Sequence, residues 1–222
     1  MEDMVAFIPV RGGSKSIPLK NIRDFCGKPL VYWTAKAASD CDYIDRVYIC
    51  TDSEKIKEVV HSIALPKVDV IGRNPHTATD IASTESAMLD FAYQYEFKNI
   101  VLIQATSPLL EKNDLNGACR KYIEGDYDSI LSVVRQKRFI WKDNNDEVLP
   151  MNYQPRKRPR RQDMNGYLVE NGALYITSKE ALLRTECRIS GKIGAYEMPE
   201  KSYFEIDEPS DWNIMEMLKK NR

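Results

Sequence analysis

Val5-Ala6-Phe7-Ile8 runs directly into Pro9-Val10-Arg11-Gly12-Gly13-Ser14-Lys15-Ser16-Ile17-Pro18-Leu19-Lys20-Asn21. A short apolar run without polar alternation is what a strand buried on both faces presents. The segment after it is rich in glycine and cations. It is followed by Leu30, Trp33, Thr34, Ala37, Ala38 and Cys41, which recur at helical spacing. Strand, loop and helix make the first half of a βαβ unit.

The alternation continues. Arg46-Val47-Tyr48-Ile49-Cys50 reads as a second strand, ending at Thr51-Asp52-Ser53. Ser53 is suited to cap a helix with Ile56, Val59, Val60 and Ile63 on its apolar side. Val68-Asp69-Val70-Ile71 is a third strand, and a loop with Gly72, Asn74 and Pro75 follows. The next helix carries Met88, Ala92 and Tyr95. Ile100-Val101-Leu102-Ile103 is the most apolar strand and is expected at the centre of the sheet. Asn113 is the expected cap of a helix with Leu115, Ala118, Cys119 and Tyr122, and residues 129–134 form another strand. Strands separated by helical segments predict the α/β class: a mostly parallel sheet with helices on both faces. Ligand loops then lie beyond the carboxyl ends of the strands.

The pattern changes after about residue 135. Residues 136–166 are polar and basic with few periodic apolar positions, which reads as a small insertion. Strands are expected again at 172–176 and 195–198. A last helix is expected over 209–218 with Pro209 at its first position. With 222 residues, the whole span 1–222 is read as one domain.

Composition removes several functional classes. Thirty-two basic residues against thirty-three acidic ones exclude a generally polycationic nucleic-acid binder. No apolar stretch approaches the roughly 20 residues of a membrane span. Five cysteines, odd in number and without a C-x-x-C spacing, argue against a disulfide framework or a zinc ribbon. The acidic start Met1-Glu2-Asp3-Met4 lacks the basic region of a signal peptide, so a cytoplasmic protein is expected.

The first loop carries the strongest chemical signal. Paired glycines let backbone N–H groups approach a phosphate, and Arg11, Lys15 and Lys20 can neutralise it. The loop matches neither G-x-x-x-x-G-K-[ST] nor G-x-G-x-x-G. A solvated basic turn is the competing reading. Glu205 and Asp207 stand two apart, on one side if the segment is extended. They suit a magnesium ion, or else Asp207 or Glu208 caps the last helix. Residues 156–161 hold five basic side chains, a run that also reads as a nucleic-acid patch. His61 and His76 have no partner spacing and are read as structural.

These segments together resemble one family. Arg11-x-x-Ser14-Lys15 through Lys20-Asn21, then Gly27-Lys28-Pro29-Leu30, is similar to the start of the sugar nucleotidyltransferases. More narrowly it resembles the cytidylyltransferases that activate 3-deoxy-ulosonic acids. Thr51-Asp52-Ser53, Arg73 through Thr79-Asp80-Ile81-Ala82-Ser83, and Leu102-Ile103-Gln104-Ala105-Thr106-Ser107-Pro108 continue the match. Arg158-Pro159-Arg160-Arg161-Gln162-Asp163 and Glu170-Asn171-Gly172-Ala173-Leu174-Tyr175 complete it, and resemble the CMP-sialic acid synthetase (acylneuraminate cytidylyltransferase) family of animal type. Val10, Ser16, Ala105 and Glu205 depart from the family's usual residues.

The resemblance implies a mononucleotide-binding, Rossmann-like domain. The anomeric hydroxyl of a sialic acid-like nonulosonic acid (Neu5Ac or Kdn) would attack the α-phosphorus of CTP, and pyrophosphate would leave. It places Arg11, Gly13, Ser14, Lys15, Lys20, Asn21, Arg73 and Ser83 on the nucleotide. Gln104, Arg161, Gln162, Asn171 and Tyr175 fall on the sugar, with Arg161 pairing its carboxylate. Mg²⁺ falls on Asp207 and Glu205, and Arg11, Lys20 and Asp207 take catalytic roles. A half-buried strand position is the alternative for Tyr175. The insertion at 136–166 is expected to help form a homodimer. The rivals are a cytidylyltransferase for legionaminic acid, pseudaminic acid or Kdo, and, from another class, a nucleic-acid-binding module using Arg156 to Arg161.

Overall fold

The computed structural model describes residues 2–220. In chain order, β1 (Glu2–Pro9) leads through the glycine-rich loop and a small hairpin, β2 (Asp24–Phe25) and β3 (Lys28–Pro29), into α1 (Leu30–Asp40). β4 (Arg46–Thr51), α2 (Glu54–Ile63), β5 (Val68–Gly72), α3 (Thr84–Gln94), β6 (Phe97–Ile103), α4 (Lys112–Glu124) and β7 (Ser129–Gln136) follow. A second hairpin, β8 (Trp141–Asp143) and β9 (Val148–Pro150), precedes β10 (Tyr167–Ser178), α5 (Lys179–Thr185), β11 (Ile193–Met198) and α6 (Pro209–Lys220).

Seven strands form the main sheet in the order β11-β7-β10-β6-β1-β4-β5. Its pairings are parallel except for those of β10, which runs antiparallel to both β6 and β7. The most apolar strand, β6, is the fourth of the seven, as its composition predicts. Side-chain alternation along β1 sends Ala6 and Ile8 to one face and Val5 and Phe7 to the other. The first pair packs with Val31 and Ala35 of α1, Ile56 of α2 and Leu115 of α4. The second packs with Met88, Phe91 and Ala92 of α3 and Leu182 of α5. Each large side chain taken fully out of water contributes about 1.5–3 kcal/mol, so both faces are driven to acquire helices.

A third cluster joins the carboxyl-terminal part of the chain to the first loop. Ile17, Phe25 and Leu30 meet Leu109, Ile206, and Trp212 and Met215 of α6. Trp212 packs edge-on against Phe25 with ring centroids 5.6 Å apart. This packing sets where residues 205–207 lie.

Helix α5 and the hairpins β2–β3 and β8–β9 were not expected from the sequence, and two expected elements are placed differently. α4 begins at Lys112, and its cap is Glu111, not Asn113. The Asp114 carboxylate accepts the Glu111 N–H at 3.0 Å, a reciprocal cap that outcompetes an asparagine already inside the helix. β10 starts at Tyr167, five residues before the predicted strand, because Tyr167, Leu168 and Glu170 face solvent and break the apolar pattern. Its register against β7 shifts between Glu170 and Tyr175, where Gly172 takes φ +68°.

Candidate active site

From β1 the chain pairs β4 on one side and later β6 on the other, so the sheet reverses its growth at β1. A crevice opens beyond carboxyl strand ends at such a point. A cavity of about 290 Å³ lies there. The loop after β1 contributes Pro9, Arg11, Ser14, Lys20 and Asn21. The loop after β5 contributes Arg73, Thr79, Asp80, Ala82 and Thr84, and the end of β6 contributes Gln104, Ala105 and Thr106. Six of the residues expected at the site meet here: Arg11, Ser14, Lys20, Asn21, Arg73 and Gln104.

Local structure aims each of them. Gly12 is packed so closely against Ser53 that a Cβ would come within 2.9 Å of the Ser53 Cβ. Its N–H donates to Asp52 Oδ1 at 2.9 Å, which fixes the base of the loop. Gly13 faces open space, with nothing within 4 Å of where its Cβ would stand. Leu19 sits in the left-handed region at φ 52°, a conformation costing roughly 1–2 kcal/mol for a residue with a side chain. The turn at Lys20–Ile22 starts from it. Lys20 then reaches the Ile206 carbonyl at 2.7 Å and Asp207 Oδ1 at 3.3 Å. Asn21 is buried and donates to the Arg11 carbonyl at 3.2 Å. Gln104 is held through its own N–H, which donates to the Ala173 carbonyl on β10 at 3.2 Å.

The cations already have partners. Arg11 Nη1 lies 2.8 Å from Asp80 Oδ1, and Lys15 Nζ lies 2.7 Å from Asp80 Oδ2. Hydrogen bonding from Lys15, ahead of that from Arg11, holds the Asp80 carboxyl below the usual carboxylate range. Arg73 donates to the Thr77 carbonyl, and burial lowers its pKa. Ser83 stands outside the cavity wall as the cap of α3, its hydroxyl accepting the Ser86 N–H at 3.1 Å.

Of the residues expected on the sugar, Gln104 lines this cavity, while Arg161, Gln162, Asn171 and Tyr175 lie outside it, on β10 and the segment before it. Tyr175 is buried, donates its hydroxyl to Glu170, and carries the Arg188 guanidinium 5.0 Å over its ring. Arg188 pairs in turn with Glu85 on α3. Asn171 is buried in the β10 bulge and donates to the Ser202 carbonyl at 2.8 Å, while its Oδ1 has no partner. Arg161 and Gln162 are exposed on a short 3-10 turn, with Arg161 reaching Glu200 at 3.4 Å.

Glu205 and Asp207 flank the fully buried Ile206 on extended chain outside any strand. Burial first, and then Asp207, raise the Glu205 pKa. Asp207 does not cap α6. Asp211 Oδ2 instead takes the N–H groups of Asp207 and Glu208 at 3.0 and 2.7 Å, leaving the Asp207 carboxylate on Lys20.

Asp80, Asp52 and the Glu170–Arg188–Glu85 group were not singled out from the sequence. Asp80 had a signal, since it lies inside the matched Thr79-Asp80-Ile81-Ala82-Ser83 element. Arg188 and Glu85 had none, because they are 103 positions apart and meet only through the packing of α3 on α5.

A doubly flanked, mostly parallel sheet with a cation-lined crevice at its switch point is an α/β architecture suited to an anionic ligand beyond its carboxyl strand ends. Residues 5–222 match the family model described as cytidylyltransferase, and the chain belongs to that family. It is 38% identical over 216 residues to N-acylneuraminate cytidylyltransferase A of Danio rerio, covering 95% of this chain and 49% of that one. It is 27% identical to the pseudaminic acid cytidylyltransferase of Campylobacter jejuni, covering 97% and 96%. The chain thus spans about half the length of the first relative and nearly all of the second. Its fold matches a solved CMP:2-keto-3-deoxy-manno-octonic acid synthetase complexed with CTP, with a TM-score of 0.72, 16% identity and 99% coverage of both chains.

Proposed function

We propose that this chain transfers CMP from CTP to the anomeric hydroxyl of a sialic acid-like nonulosonic acid, Neu5Ac or Kdn, and releases pyrophosphate. The observation that carries this reading is the convergence of Arg11, Lys20, Asn21, Arg73 and Gln104 on one crevice. Relatives named as acylneuraminate cytidylyltransferases supply the substrate class. Arg11, Lys15 and Lys20 screen the triphosphate from an anionic sugar, and they stabilise the charge that builds on the leaving pyrophosphate. Asn21 and Arg73 face the nucleoside side, and Gln104 faces sugar hydroxyls. Arg161, with Gln162, Asn171 and Tyr175, belongs to the sugar side in this reading. A guanidinium fork matches the obligatory carboxylate of the substrate.

The donor set of Glu205 and Asp207 fits magnesium. Two hard oxygen donors on one exposed side of an extended segment suit an ion that keeps waters and takes substrate phosphate oxygens. When bound, magnesium supplies positive charge against the phosphates. Lys20, shared between Ile206 and Asp207, ties these carboxylates to the phosphate loop.

Residues 136–166 form a dimerisation element in this reading. Support comes from Trp141, Val148, Leu149 and Met151, large apolar side chains exposed on and beside the β8–β9 hairpin. Five free cysteines support a reducing compartment, and we place the protein in the cytoplasm.

A second reading, activation of pseudaminic acid, is favoured by the near-complete overlap with the Campylobacter jejuni relative. One assay decides between them: pyrophosphate release from CTP and magnesium with Neu5Ac, Kdn, pseudaminic, legionaminic and Kdo acceptors. Turnover with Neu5Ac or Kdn above the others is expected. No release with any acceptor sinks the proposal.

A further inference from the structure

Among the described residues that line the crevice, Asp80 is the single acidic one. A carboxylate in the wall of a site for a polyanion opposes binding wherever it stays between the cations and the ligand. Its placement is specific. One oxygen takes Arg11 at 2.8 Å and the other takes Lys15 at 2.7 Å, so a single carboxylate spans both cations as a phosphate would. The other two cations of the site are tied differently. Lys20 is anchored by the Ile206 carbonyl at 2.7 Å, with Asp207 Oδ1 at 3.3 Å, and Arg73 by the Thr77 carbonyl.

Asp80 is also free to leave. It is flanked by exposed Thr79 and by Ile81, which is 96% exposed, on the loop after β5. Lys15 is 74% exposed and Arg11 34%, and Gly13 between them faces open space, so Lys15 has the freer path toward a ligand, while Arg11 also donates to the Thr79 carbonyl of the same loop at 3.3 Å.

We propose that Asp80 is an internal anion that holds Arg11 and Lys15 between turnovers, that a triphosphate or pyrophosphate displaces, and that returns as pyrophosphate leaves. The proposal rests on the nucleotide reading above for its biological role, but its physical content concerns the binding of polyphosphate. A ligand that needs both cations finds them free only in the fraction of molecules whose latch is open. Its apparent dissociation constant rises by the inverse of that fraction. Ligand groups that do not touch this pair are unaffected. Asp80 thereby weakens CTP and pyrophosphate by the same factor.

The test is titration calorimetry of the full chain in magnesium with inorganic pyrophosphate and, separately, with CTP. Asp80→Asn is expected to tighten both by one common factor, about three- to tenfold for the loss of two exposed ion pairs. Asp80→Ala is expected to act in the same direction. Asp126→Asn is the control. It removes an equal charge from an exposed pair with Lys192 before the start of β7, at the other end of the sheet, and is expected to change neither affinity. Weaker or unchanged pyrophosphate binding in Asp80→Asn overturns the proposal, as does an equal gain in Asp126→Asn, which would reduce the effect to net charge. Wild-type protein that binds pyrophosphate but not CTP removes the nucleotide reading. The pyrophosphate titrations still decide the role of Asp80 in that case.

Discussion

Asp207 was open to two readings in sequence, helix cap or metal ligand, and packing separates them. Asp211 takes the backbone N–H groups ahead of α6, so the Asp207 carboxylate is left to Lys20 and to whatever cation enters. Asp207→Asn keeps the size and removes the charge. Turnover is expected to fall on the order of a hundredfold or more, as when a group that stabilises transition-state charge is removed. The melting temperature should stay near the wild-type value, because the capping hydrogen bonds belong to another residue. Glu205→Gln is expected to cost less. Near-normal turnover with unaltered magnesium dependence in folded Asp207→Asn would remove it from the site. Six of the thirteen described residues lining the crevice were named from the sequence: Arg11 and Lys20 by their charge in the loop after β1, and Ser14, Asn21, Arg73 and Gln104 through the family resemblance. Asp80 was overlooked because an acidic residue in an anion site contradicts simple charge matching.

At the scale of elements, β10 holds the end of β6 at the crevice, through the Ala173 carbonyl that accepts the Gln104 N–H. It is the one strand of the main sheet antiparallel to its neighbours, and its bulge at Gly172 lets the chain change register between β7 and β6. A Cβ at Gly172 would stand 3.4 Å from Glu205 Oε2. Gly172→Ala therefore combines an unfavourable positive φ with crowding of a carboxylate. A loss of about 1–2 kcal/mol is expected, which for a chain of this size lowers the melting temperature by roughly 2–8 °C. Differential scanning calorimetry reads it, and an unchanged melting temperature would mean that the bulge relaxes without cost. The strands β1, β4 and β6 were legible because burial on both faces leaves unbroken apolar runs, and the half-buried edge strand β5 because Val68, Val70 and Ile71 are strong strand formers. The first half of β10 was not, since an exposed strand edge carries no such run. The Glu111–Asp114 cap was not legible because the short polar Asn113 is a commoner cap type than a glutamate.

At the scale of the whole molecule, the segment between β7 and β10 stands apart from the main sheet. Its hairpin is ordered by ring contacts: Tyr153 lies 4.6 Å from Phe139 and 5.7 Å from Trp141, and Arg158 lies 4.1 Å over Phe139. That same arrangement leaves Val148 59% and Met151 62% exposed. An apolar patch of this kind marks an interaction surface. Lysine at both Val148 and Leu149 is expected to convert a dimer to a monomer in sedimentation velocity, with the secondary structure intact. A wild-type protein that is already monomeric at micromolar concentration would defeat the assignment of this hairpin. The arginine run at 156–161 is partly accounted for at this scale. Arg158 stacks on Phe139, Arg160 pairs with Asp163, and Arg161 reaches Glu200.

Local pattern alone determined the fold class, the order of the main strands and helices as far as β7, the central place of β6 and the glycine- and cation-rich loop after β1. Each depends on residues close in sequence, where apolar period, capping and glycine content act directly on the backbone. Tertiary structure decided which cations face which anions. Arg11 and Lys15 meet Asp80 across more than sixty residues, Lys20 meets Asp207 across 187, and Arg188 meets Glu85 across 103. Such pairs are set by crossover connections and by helix packing on the sheet. These bring distant loops to one strand end, and no local periodicity records it.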